Sequence, residues 1–81
     1  MKAVQYNAVI HKRINSLMNA CGVKTPMDLF TEMLVLMEWA VQEARIGNQI
    51  ASYDPDTDRV AERVVMPSLE NAARHARIQA I

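Results

Sequence analysis

Three aspartates alternate through Asp54-Pro55-Asp56-Thr57-Asp58, and oxygen ligands at every second position are how a calcium loop begins. The pattern then stops. Arg59 stands where such a loop needs glycine for its sharp turn, and Val65 stands where it needs a bidentate glutamate, so a solvated turn is expected here and no metal. His11 and His75 each lack a cysteine or a second histidine at ligand spacing, which makes them surface histidines rather than zinc ligands. Cys21 is the only cysteine. It can form no disulfide within the chain and is expected as a small buried side chain on the apolar face of a helix. There is no Ser/His/Asp grouping and no glycine-rich phosphate loop, and nothing nominates a pair of carboxylates for acid–base work. The reading is a protein that is not an enzyme and holds no cofactor.

One charge pattern remains. Lys2, Lys12, Arg13 and Lys24 all precede Asp28, the first acidic residue of the chain. Such cations can contact phosphates, and the amides of Gln5 and Asn7 have the donor–acceptor pair that reads the edge of adenine. The plainer reading, a solvated helix face with scattered positive charge, stands equally beside it. Over the whole chain 9 Lys+Arg balance 9 Asp+Glu, so net charge leaves no footprint for nucleic acid or membrane.

These residues must be positioned by something, and residues 25–47 are the one stretch able to organise a core. Thr25 is a good N-cap, Pro26 takes the first helical position, Asp28 suits the positive helix end, and Gly47 follows the last turn after Arg45. At about 100° per residue, Leu29, Phe30, Met33, Leu34, Leu36, Met37, Ala40, Val41 and Ala44 share a continuous arc of roughly 160°. Val35, Trp39 and Ile46 form a second strip on the far side. A helix seated on a single neighbour needs a stripe of only a little over 100°. This helix is therefore expected to cross its own copy, with Phe30, Met33, Leu34, Met37, Trp39 and Val41 in the dimer interface. The alternative is the central helix of a monomer, covered on both sides by its own chain.

Around it the elements are shorter. Residues 10–21 carry Ile10, Ile14, Leu17, Met18 and Cys21 at helical spacing, and Gly22 stops that helix. Residues 2–9 suit either a short strand or an extension of the helix, the latter slightly favoured because no Gly, Pro or strong cap divides Gln5 from Ile10. After Gly47, residues 50–53 and 60–66 read as a β-hairpin with a wide acidic turn; a helix from Thr57 is the competing reading. Pro67 ends either element, and Ser68 can cap a thin last helix over residues 69–80.

With 81 residues the chain holds one domain at most, and a domain of this size buries only about 60% of its unfolded surface. It has no disulfide or metal staple, yet 51% of its residues are apolar; small chains of this kind gain stability by oligomerising. The expected fold class is mainly α (α+β): a helix, a turn and a long helix as the core, a small C-terminal β-hairpin and a short last helix, assembled as an intertwined homodimer in which residues 1–47 form the helical dimer core and 48–81 an extension of the same domain. Polar residues interrupt every apolar run, so no membrane span and a cytoplasmic location are expected.

The segment Gly22-Val23-Lys24-Thr25-Pro26-Met27-Asp28-Leu29-Phe30, followed by the long apolar helix, resembles the helix–turn–helix part of ribbon-helix-helix repressors of the MetJ/Arc type, over about residues 10–46. The resemblance implies a bacterial or phage DNA-binding regulator: second helices crossing in a dimer core, paired N-terminal strands in the major groove, Gln5 and Asn7 facing bases, and Lys24 with the backbone at Thr25 and Pro26 anchoring a phosphate at a helix N-terminus. Lys2, Lys12 and Arg13 complete the DNA-binding set. The alternative function is a protein–protein interaction module without DNA binding, using its dimer surface or hairpin.

Overall fold

The computed structural model describes residues 8–79. Its elements run α1 (Ala8–Cys21), α2 (Pro26–Arg45), β1 (Ala51–Asp54), β2 (Arg59–Arg63) and α3 (Pro67–Gln79). The chain is mainly helical with a small antiparallel sheet, in the order expected from sequence. It divides into two compact units between Leu34 and Val35.

In the first unit, α1 and the start of α2 are joined by residues 22–25. Gly22, at φ 67°, takes the left-handed conformation that costs other residues a steric penalty. Its N–H bonds the carbonyl of Asn19, and the N–H of Val23 bonds that of Met18 at 3.0 Å, a Schellman closure of α1. Thr25 then caps α2: its Oγ1 accepts the N–H of Asp28 at 3.1 Å, which satisfies one of the free amides of the first turn. α1 itself buries no residue; Ile14 and Met18 are half-buried. Cys21 is exposed, against the expectation that it is buried, because it is the last residue of α1 and its position on the apolar arc brings no covering side chain over it.

The second unit holds the rest of α2, the hairpin and α3. Gly47, at φ 90°, repeats the closure seen at Gly22: its N–H bonds the carbonyl of Ala44, and that of Asn48 bonds Glu43 at 2.9 Å. The core is a cluster of Ala40, Ala44 and Leu69, against which Met37, Val41, Ile50 and Ala72 pack. The two alanines are what let α3 bring Leu69 close to the axis of α2. Pro67 is not a breaker standing outside α3. It is the first residue of the helix, where its missing N–H leaves no bond unmade, and the carbonyl of Met66 accepts from both Leu69 and Glu70. Ser68 therefore lies inside the helix and does not cap it.

The hairpin forms as expected, with different limits. β1 starts at Ala51 and β2 stops at Arg63, so Val64, Val65 and Met66 lie beyond the strand. The pairing Ser52↔Glu62 followed by Tyr53↔Val60 makes Ala61 an extra residue, a bulge that increases local twist. Ser52 Oγ accepts the N–H of Glu62 at 3.0 Å beside it. The aspartates of the turn serve backbone geometry: Asp54 Oδ1 accepts the N–H of Asp56 at 3.0 Å, and Asp58, at φ 56°, is one of the few residue types that tolerates this conformation. The Tyr53 hydroxyl donates to Asp58 Oδ1.

That hydrogen bond, with a smaller contribution from desolvation, raises the Tyr53 pKa above a tyrosine's ordinary value. The folded hairpin thus favours the neutral phenol. The stabilisation is fully present below the unfolded tyrosine's pKa and is lost as pH rises through the folded one. Asp58→Asn keeps a residue suited to positive φ and removes the carboxylate. Its expected result, read from the Tyr53 ring resonances against pH, is a Tyr53 titration shifted downward; an unmoved midpoint would show that Asp58 does not set it.

Candidate functional site

The cations nominated for DNA contact in the described residues are all solvent-facing. Lys12 and Arg13 are exposed on α1, and Lys24 and Thr25 are exposed at the entry to α2. Lys2, Gln5 and Asn7 lie outside the described residues. Lys12 and Arg13 are successive helical residues about 100° apart around the axis, so they present a broad basic face rather than a single line. Lys24 borders an open depression with Gly22, Val23, Asp28, Thr31 and Glu32. Asp28 and Glu32 belong to the same depression, so Lys24 stands there beside two carboxylates.

The proposed interface residues divide by burial. Phe30, Met37 and Val41 are half-buried within the chain, whereas Met33, Leu34 and Trp39 are exposed. Of the nine residues on the main apolar arc of α2, only Leu29, Ala40 and Ala44 are buried. Leu36 lies within that arc and is 63% exposed, while Trp39, on the second strip, is 51% exposed. Met33, Leu34, Val35 and Leu36 are four consecutive exposed apolar residues, so every side of the helix is bare over one full turn. Burial resumes one turn on, at Ala40. Sequence periodicity marks the arc but does not say which of its members are exposed.

Sequence reasoning also passed over Arg63 and Arg77. They border one open groove of ≈ 290 Å³ at the base of the hairpin, together with Ile50, Val64, Val65 and Met66. No local motif announces it, since its walls come from β2, the strand–helix link and α3.

His11 and His75 are exposed, and among the described residues no group of three His, Cys, Asp or Glu could hold a metal ion. Among the same residues no helix is long and apolar enough to cross a membrane. The sequence matches no protein-family model, and searches against curated proteins and solved structures give no match either.

Proposed function

We propose that the protein is a homodimeric DNA-binding regulator similar to ribbon-helix-helix repressors, joined through the middle of α2. The observation that carries this reading is the bare turn at Met33, Leu34, Val35 and Leu36, continued by Trp39. A contiguous apolar stretch of this kind in a small chain marks a surface made to be covered. A second copy of α2 crossing at the same turn would cover the side that carries Val35, Leu36 and Trp39 by two-fold symmetry, the same patch serving both chains. The helix, turn and long helix formed by α1, residues 22–25 and α2 are compatible with the resemblance read from the sequence. Lys12, Arg13 and Lys24 would then appear twice per dimer, as contacts to the phosphate backbone.

The test is a salt series with short duplexes of genomic DNA, read by fluorescence anisotropy. About six phosphate contacts per dimer predict a loss of affinity on the order of 10³-fold between 50 and 200 mM salt. Replacing Lys12 and Arg13 together by alanine should weaken binding uniformly across sequences and flatten the salt slope by about four contacts per dimer. No detectable binding at 50 mM salt would eliminate DNA recognition and leave the interaction module, which draws on the same exposed apolar surface.

A further inference from the structure

The groove at the base of the hairpin belongs wholly to the second unit and needs neither DNA nor a dimer for its formation. Three of its features point to one occupant. First, its apolar wall is the link between β2 and α3: Val64, Val65 and Met66 belong to neither element, and Val65 is 75% exposed. Second, among the described residues the main chain of Val65 has no hydrogen-bond partner, although the N–H of Val64, one residue before it, still bonds the carbonyl of Ile50 at 2.8 Å. An unpaired main chain that continues directly from a strand is a template for an added strand. Third, two guanidinium groups, Arg63 from β2 and Arg77 from α3, border the groove without an ion-pair partner among the described residues. Among the described residues, Glu70 is the one acidic residue on its rim.

We propose that this groove binds an extended segment of a partner protein in which aliphatic and acidic side chains alternate. Successive side chains of a strand point to opposite sides. One set covers Ile50, Val64 and Met66 while the other brings carboxylates to Arg63 and Arg77, whose planar donor groups match a carboxylate in paired hydrogen bonds. The backbone of the segment pairs with Val65. A nucleic-acid phosphate would satisfy the two arginines but leave the valines and the methionine in water, so the groove's composition favours peptide over nucleic acid.

The probe is a fluorescein-labelled, N-acetylated heptapeptide alternating leucine and aspartate, titrated with the full chain, beside a counterpart in which asparagine replaces aspartate. Saturable binding is expected for the aspartate peptide. The asparagine peptide should bind at least ~10-fold more weakly, and so should the aspartate peptide to the Arg63→Ala/Arg77→Ala variant. Both arginines are exposed, so the variant keeps its fold, which circular dichroism verifies. Val65→Pro removes the backbone donor in an exposed, non-helical position and should weaken binding without touching either arginine. The Lys12→Ala/Arg13→Ala variant should bind the peptide like the parent protein, which separates this proposal from the DNA reading. Equal affinity for the two peptides, undiminished binding to the double arginine variant, or no saturable binding up to about 1 mM would overturn it.

Discussion

Leu36→Glu and Trp39→Glu are each expected to turn a dimer into a folded monomer. Both side chains are more than half exposed in the single chain, so a glutamate at either position stands in water there and keeps good helix propensity. At a two-fold interface the same substitution enters twice and leaves carboxylates buried without partners, at a cost of several kcal/mol. A rise in the dimer dissociation constant of at least ~100-fold, equivalent to about 2.7 kcal/mol, is the expected outcome. Sedimentation equilibrium measures it, with far-ultraviolet circular dichroism showing that the helices persist. DNA affinity should fall in parallel, because half the phosphate contacts go with the lost protomer. Met37→Glu makes a poorer probe. Met37 packs against the Ala40–Ala44–Leu69 cluster, so charging it damages the fold together with any interface. A parent protein that stays monomeric at tens of micromolar (the range in which a specific dimer of small chains is populated), or two glutamate variants of unchanged mass, would remove the dimer from the proposed function.

The second large effect concerns stability. Leu69, 7% exposed, is the one large side chain in the buried cluster of the second unit. Leu69→Ala removes its transfer energy and leaves a void between α3 and α2 that two alanines cannot fill. A destabilisation of about 3 kcal/mol is expected, which in a chain this size lowers the melting temperature by roughly 15 °C. Hydrogen exchange should show α3 and the C-terminal turns of α2 losing protection first, because both are held by this contact. Val65→Ala, at a 75% exposed position, is the control and should stay within ~0.5 kcal/mol of the parent. A Leu69→Ala protein that melts within a few degrees of the parent would mean that the cluster is not what holds the unit together.

Much of the local architecture was legible in the residues. Thr25, Pro26 and Asp28 announce the start of α2, and Gly22 and Gly47 announce where α1 and α2 close. Each of these is a signal confined to a few neighbouring residues, because caps and left-handed turns are made by hydrogen bonds over three to five positions. The aspartate-rich turn and the valines around it likewise marked a hairpin in place of a helix from Thr57. The misplaced limits have local causes as well. Pro67 suits both the end of a strand and the first residue of a helix, and the extra residue at Ala61 shifts a register that alternation alone would continue to Met66.

Long-range burial was not legible. Nine apolar residues of α2 share one arc, and the periodicity treats them alike. Whether Leu29 and Ala44 are covered while Leu36 stays bare depends on where the rest of the chain comes to lie, and a period of 3.6 contains no information on that. Cys21 fails as a buried residue for the same reason, and Arg63 and Arg77 share a groove through no sequence spacing at all. The sequence by itself thus determined the kind and order of the elements but not their limits, since helix, turn and strand are decided by near neighbours. Only the tertiary structure decided which apolar side chains remain in water and which cations meet across elements, since solvent exposure is a property of the assembled chain.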